Sequence, residues 1–161
     1  MRLRSEHEVL TRWGKDQPVP LGAGASTKLG LIAPEILNAV LRLDRVAVSA
    51  DVVFCVDRGG DLYEEAIDDA HQFVCVAESG MGDAWLVHLT DGLVWFFDHD
   101  EVGCDDCTVE LGIGFREFLA VADLWEQFES AAPQDALDVE FLELLASVEP
   151  NLPTVWPYRL F

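Results

Sequence analysis

Basic residues are scarce in this chain of 161 residues, which has 10 lysines and arginines against 30 aspartates and glutamates. The scarcity is greatest after residue 58, where Arg116 and Arg159 are the only bases. A formal net charge of −20 repels nucleic acid and anionic membrane surfaces, so we expect neither as a partner. The electrostatic field of such a negative charge either serves solubility alone or speeds encounter with a positively charged protein surface.

Long hydrophobic runs and regularly spaced cysteines are also missing. No apolar run reaches the roughly 18 residues of a membrane span, and the start, MRLRSEHEVL, lacks the apolar stretch of a secretory signal. We therefore expect a cytoplasmic protein. Four cysteines at irregular spacing do not make a disulfide framework, so reduced thiols are expected, and no cofactor is predicted.

Half of the residues are hydrophobic, which is enough for one packed domain spanning residues 1–161. Ser5 and Glu8 have capping-box spacing and predict a short N-terminal helix, and Pro34 suits the first position of a second helix. The segments DVVFCV (51–56) and QFVCVAE (72–78) are apolar and β-branched, which predicts two strands. LYEEAIDDA, between them, predicts a helical turn.

The segment GDAWLVHLTDGLVWFFDHDE (82–101) predicts a hairpin, because Asp91-Gly92 between two hydrophobic runs suits a two-residue type I′ turn. Such a turn pairs His88 with Trp95 and Leu86 with Phe97. Both faces of this hairpin are then apolar, so we expect it to lie centrally in a sheet, either covered on both sides or open to a partner on one. One face carries Leu86, His88, Trp95 and Phe97, and the other carries Trp85, Val87, Leu89, Val94 and Phe96.

The clearest helix is predicted over 114–129, GFREFLAVADLWEQFE, whose apolar residues step by three and four. Another helix is expected between Asp135, as its cap, and Pro150. The aromatic tail NLPTVWPYRLF is expected to dock on the body of the protein. Two helices, a run of strands and further helices indicate an α+β fold with a mostly antiparallel sheet, packed by N- and C-terminal helices.

Two polar clusters contain residue types that are found in metal-binding or redox sites. Cys104-Asp105-Asp106-Cys107 has the spacing of half a zinc site, but no second close pair of Cys or His completes it. Its two aspartates also oppose the electropositive setting of a reactive dithiol. Asp98-His99-Asp100-Glu101 ends a strand, so its consecutive side chains are expected to point to opposite faces and not all to converge on one ion. Cys55 and Cys75, inside apolar strands, are interpreted as small core residues.

Catalytic motifs are not found either. No serine has the sequence context of a nucleophile elbow, and the glycine-rich stretch GAGASTKLG lacks the residue order of a phosphate-binding loop. We therefore predict no enzymatic activity.

Four short motifs follow one another between residues 72 and 130: Gly82-Asp83, Asp91-Gly92, Phe97-Asp98-His99-Asp100 and Phe115-Arg116-Glu117-Phe118-Leu119. They mark a Gly-Asp turn, a Gly turn, a strand ending in aromatic-Asp-His-acid and a helix opened by Phe-x-x-Phe-Leu. This pattern resembles the core of the SUKH superfamily, the Smi/Knr-type proteins, in a divergent form. The resemblance implies an α+β fold without enzymatic activity. Many bacterial members are immunity proteins that neutralise a toxin of the same strain, often a nuclease.

Charge and resemblance together predict a non-enzymatic immunity protein that binds a cognate, basic, nuclease-like toxin through an acidic surface. Exposed aromatics at the sheet edge are expected to serve as hydrophobic anchors. The alternatives are a small metal-binding or redox protein using Cys104, Cys107 and His99, and a general protein-interaction scaffold. The carboxylates expected to meet the toxin are Glu64, Glu65, Asp68, Asp69, Asp98, Asp100, Glu101, Asp105 and Asp106.

Overall fold

The computed structural model describes residues 1–22, 24–57, 62–103, 107–131 and 135–158, with the side chains of all but 135 and 136. Six α-helices lie in these ranges: α1 (Glu6–Arg12), α2 (Pro34–Leu43), α3 (Leu62–Ala66), α4 (Phe115–Glu129), α5 (Asp135–Val148) and α6 (Leu152–Val155). The same ranges contain five strands: β1 (Val53–Phe54), β2 (Phe73–Glu78), β3 (Ala84–His88), β4 (Leu93–Phe97) and β5 (Thr108–Gly114). Short 3₁₀ helices span Thr27–Leu31, Ala70–Gln72 and His99–Glu101. None of the helices in these ranges is long and apolar enough to cross a bilayer.

The strands form one sheet in the order β1-β2-β3-β4-β5, and every neighbouring pair is antiparallel. This arrangement confirms the predicted α+β class. The strand predicted over 51–56 is shorter than expected, because much of that segment folds back on the chain before it. The Val48 N–H donates to the Val52 carbonyl and the Phe54 N–H to the Val46 carbonyl, both at 2.9 Å.

The hairpin of β3 and β4 is present, but its predicted register is wrong by two residues. Leu86 pairs with Trp95, not with Phe97. The turn is longer because the Gly92 N–H donates to the His88 carbonyl at 2.9 Å and Gly92 has a φ of +76°. The Leu89 N–H donates to the Gln72 carbonyl at 2.8 Å, which directs residue 89 toward β2 rather than β4. A shift of two residues leaves each side chain on its predicted face.

Both faces of the sheet are covered, as the two apolar faces of the hairpin predict. Trp85 and Val87 lie in the larger core, which residues of α1, α2, α4, α5 and α6 complete. Leu86 and Phe97 lie in a smaller core on the opposite face, together with Tyr63 of α3. The hairpin is therefore an interior part of the sheet with helices on both sides.

The predicted helices are present near their predicted positions, although Asp135, expected as a cap, is the first residue of α5. Ser5 and Glu8 form both hydrogen bonds of the capping box that begins α1, and Pro34 is the first residue of α2. The apolar stripe of α4 is buried from Phe115 to Trp125. The C-terminal tail docks as expected, since Trp156 is buried and Tyr158 stacks on Trp125 with ring centroids 5.3 Å apart.

A buried carboxylate on α4 ties the N-terminal segment to the rest of the molecule. Asp123 is 0% exposed. Its oxygens accept hydrogen bonds from Arg4 at 2.7 Å, Arg12 at 2.9 Å, the Trp13 indole N–H at 3.0 Å and Gln127 at 2.8 Å. Two cations and two neutral donors thus replace the water that a carboxylate loses on burial.

We expect Asp123→Asn to lower the free energy of unfolding by roughly 3 kcal/mol, because Arg4 then loses its charged partner at a buried position and Arg12 keeps only its ion pair with Glu126 at 3.0 Å. Urea denaturation measures this change. Arg116→Gln is the matched control, since Arg116 joins the same two helices through Glu6 at 2.9 Å but is 70% exposed. The control is expected to cost less than about 1 kcal/mol. Equal effects of the two substitutions would contradict the role given to Asp123.

Candidate functional site

The strand order brings two connections together at one end of the sheet. Glu78, the last residue of β2, pairs with Ala84 at the start of β3, and Ala84 pairs with Phe97 at the end of β4. The turn over residues 79–83 and the 3₁₀ helix His99–Glu101 therefore extend from the same sheet end. Acidic residues of both connections meet there.

The turn between β2 and β3 is built around Ser79. Its hydroxyl donates to Asp83 Oδ2 at 2.9 Å and accepts the N–H groups of Met81 and Asp83, each at 3.1 Å. Gly82 has a φ of +112°, and a Cβ there would lie 3.4 Å from the ring of His99. These contacts hold the Asp83 carboxylate in place and leave Met81 at the tip, 72% exposed.

The end of β4 supplies the other half of the site. Asp98 caps the 3₁₀ helix by accepting the Asp100 N–H at 2.9 Å. His99 Nδ1 lies 2.7 Å from Asp83 Oδ1, and its Nε2 lies 3.1 Å from Asp100 Oδ1. The hydrogen bond to Asp83, with the negative charge of Asp100, raises the pKa of His99 above its ordinary value. The imidazole thus joins the two connections.

Five carboxylates border this end of the sheet, and we call them the acidic rim: Glu78, Asp83, Asp98, Asp100 and Glu101. Within the described part of the chain, no lysine or arginine forms an ion pair with any of them; their cationic contact is His99. Most described bases pair elsewhere. These pairs are Arg2–Glu8, Arg4–Asp123, Arg12–Asp123, Lys28–Glu64 and Arg116–Glu6. The five carboxylates thus outnumber the one cationic contact among the described residues, and the rim carries net negative charge.

Aliphatic side chains accompany the acidic rim. Met81 lies at the tip of the turn, Val102 directly follows Glu101 and is 45% exposed, and Leu62 at the start of α3 is 48% exposed. Leu62 also lines a cleft of about 200 Å³ together with Glu78 and Asp83. The expectation of exposed aromatic anchors is wrong for the described residues, because every aromatic side chain among them is buried or half-buried.

Of the other predicted partner-binding carboxylates, Asp68 and Asp69 lie toward the opposite end of the sheet from the acidic rim. Glu64 pairs with Lys28 at 2.5 Å, and Glu65 is exposed on α3. Asp68 and Asp69 are exposed before the 3₁₀ helix that leads into Phe73, which pairs with His88 at the opposite sheet end. With six residues in β2, the two sheet ends are roughly 17 Å apart. Asp105 and Asp106 lie outside the described residues.

The acidic rim was only partly predictable. Asp98, Asp100 and Glu101 were expected there, whereas Glu78 and Asp83 were missed. The Gly82-Asp83 turn is recognisable in the sequence. In an antiparallel order of β2, β3 and β4, the turn between β2 and β3 lies beside the end of β4, and this order is the signal that could have identified Asp83.

The strand alternation expected over 98–101 is wrong, although of these four residues Asp98 and His99 alone come together with Asp83 in one group of ligand atoms. β4 ends at Phe97 and a 3₁₀ turn follows, so strand alternation no longer applies. Ligand atoms of Asp83, Asp98 and His99 consequently lie within 4.8 Å of one another. The three groups satisfy each other or nearby N–H groups through hydrogen bonds, which is the arrangement of a polar network.

The remaining candidates are the cysteine and histidine metal site and a hydrolytic triad. Cys107 is buried at the start of β5, and Cys104 lies outside the described residues, so the set of Cys104, Cys107 and His99 is untested. The Asp83 carboxylate stands between the Ser79 hydroxyl and the His99 ring. This order differs from a hydrolytic triad, in which the imidazole contacts the nucleophile.

Comparisons of the chain with protein-family models, curated proteins and solved structures find no match.

We expect the pKa of His99 to lie above 6.5, and Asp83→Asn to lower it more than Asp100→Asn does. Asp83 makes the hydrogen bond that is the main cause of the shift, whereas Asp100 acts through its charge. The stabilisation from protonated His99 is then fully present below its unfolded pKa and is lost as pH rises through the raised folded value. NMR titration of the ring protons, assigned with His99→Gln, measures this. A pKa at or below 6.5 in the wild-type protein would contradict it.

Proposed function

We propose that this protein is a SUKH-like bacterial immunity protein that binds and neutralises a cognate toxin without enzymatic activity. The acidic rim, with the exposed aliphatic residues beside it, is the proposed binding surface. The observation that carries this proposal is that five carboxylates gather at one sheet end while most of the described lysines and arginines pair elsewhere.

The charge of the acidic rim suits a basic toxin. A nuclease must present a cationic cleft to its polyanionic substrate, and an acidic protein can compete for the same cleft. Unpaired carboxylates speed encounter and fix orientation, whereas apolar contacts supply much of the affinity. Met81, Val102 and Leu62 are the exposed apolar side chains that can fill pockets on such a partner.

The motifs behind the resemblance also support the proposal, because two of them meet in this site. Gly82-Asp83 lies against Phe97-Asp98-His99-Asp100, with the carboxylate of Asp83 bonded to His99 and the backbone of Gly82 close to its ring. Residues separated in the sequence by about one hairpin thus form one structural unit. We propose that this unit shapes the binding surface.

The proposal is tested with the toxin-like C-terminal module of the large secreted protein whose gene we expect beside this one. Co-expression is expected to restore growth, and the two proteins are expected to elute as one complex in gel filtration. Loss of protection and of complex together would contradict immunity function. A stable complex without protection would favour the scaffold alternative.

Charge reversal localises the surface. We expect Asp100→Lys with Glu101→Lys to weaken toxin binding at least about tenfold. The matched control is Asp68→Lys with Asp69→Lys, which changes the net charge equally at the other sheet end. The toxin affinity of that control is expected to stay within about threefold of the wild-type value. The reason is that the distance between the two sheet ends exceeds the Debye length of about 8 Å. Surface plasmon resonance measures both, and a larger loss in the control would overturn this placement.

A further inference from the structure

A second group of side chains with metal-ligand atoms lies on the face of the sheet that α3 covers. The sulfurs of Cys55 and Cys75 are 3.7 Å apart. A carboxylate oxygen of Glu78 lies within 4.8 Å of both sulfurs. Cys75 is buried, Cys55 is half-buried and Glu78 is exposed, so the group extends from the smaller core to the surface. The interpretation of the two cysteines as separate core residues is therefore incomplete.

A β-bulge in β2 places Cys75 and Glu78 on the same face. Strand alternation alone puts residues three positions apart on opposite faces. Cys75 pairs with Leu86 but Ala77 pairs with Trp85, so the register shifts by one residue between them. Val76 and Ala77 consequently both lie in the larger core, and Glu78 returns to the side of Cys75. Bulges commonly re-aim a side chain in this way beside a binding site.

The distance between the sulfurs matches that of two ligands on one metal ion. Zn–S bonds of about 2.3 Å at a tetrahedral angle separate two sulfurs by about 3.8 Å, and the observed separation is 3.7 Å. Thiolates favour zinc and other soft ions, and a carboxylate is an accepted third zinc ligand. Magnesium and calcium, which take oxygen ligands, do not suit two sulfurs.

The surroundings of the three residues suit an ion. The Cys75 N–H donates to Asp57 Oδ2 at 3.0 Å, and the Tyr63 hydroxyl donates to the same oxygen at 2.8 Å, which fixes the backbone at Cys75. Cys75 and Glu78 also line the cleft of about 200 Å³ beside the acidic rim. This cleft offers an entry path, and the negative rim raises the local concentration of cations.

We propose that Cys55, Cys75 and Glu78 form a binding site for a thiophilic divalent cation of the zinc class. Each thiol releases its proton to solvent as its sulfur binds the ion, and water completes a four-coordinate shell. The site is separate from the Cys104, Cys107 and His99 alternative. It shares Glu78 with the acidic rim, but its binding of an ion can be measured without the toxin.

Cobalt is the probe for the test, because thiolate coordination to Co²⁺ gives a sulfur-to-metal charge-transfer absorption. The full-length protein, reduced and freed of metal with a chelator, is titrated with Co²⁺ and then with Zn²⁺ as competitor. We expect uptake of one equivalent, and displacement by Zn²⁺. Cys55→Ser and Cys75→Ser are expected to lose the absorption. Glu78→Gln is expected to weaken metal binding more than about tenfold. Substituting residues that only orient the ligands of a metal already lowers metal affinity by about that factor.

Cys107→Ser is the matched control, because it removes a buried thiol of the same smaller core from outside the group. It is expected to bind like the wild-type protein, and loss of the absorption in this variant would overturn the proposal. Circular dichroism checks the fold of each variant, and Cys55→Ser, at the half-buried position, keeps the test valid if Cys75→Ser fails to fold. No absorption in the reduced wild-type protein, or a Cys55–Cys75 disulfide found by mass spectrometry in place of metal uptake, would also overturn it.

Discussion

The central strands of the sheet bury side chains on both faces, and the need for two covering layers shapes the rest of the fold. Trp85 requires the larger helical layer, whereas Leu86, its neighbour in β3, requires a second cover, to which the short α3 contributes. Helix α3 covers this face through one large side chain, Tyr63. The second layer is thin, so carboxylates and thiols at the sheet end lie close to solvent.

The many carboxylates divide into two physical classes. Buried ones such as Asp123 and Asp57 accept several hydrogen bonds and hold distant segments together. Burial and the Asp57 carboxylate raise the pKa of Tyr63, which keeps that hydroxyl a donor. Because Arg4 and Arg12 are engaged by a buried carboxylate, few bases remain to neutralise the exposed ones. The net negative charge of the acidic rim thus follows partly from how the core is built.

The two proposed sites are neighbours that differ in chemistry. The acidic rim acts by charge over a wide surface, whereas the Cys55, Cys75 and Glu78 group offers a defined set of soft ligands. Glu78 belongs to both because the bulge turns it toward the cysteines while leaving it exposed. A cation bound there would reduce the negative charge at one edge of the rim, so occupancy and partner binding would be electrostatically linked.

Features encoded by neighbours in the chain could be predicted from the sequence: the capping box at Ser5, the stripe of α4 and the two faces of the hairpin. These follow from periods of 3.6 and 2 and from caps, which involve residues a few positions apart. Tertiary structure alone decided three features: the register of β3 and β4, the bulge in β2 and the contact of Asp83 with His99. They depend on contacts between distant segments, such as the Leu89 N–H with the Gln72 carbonyl, and no local period specifies them.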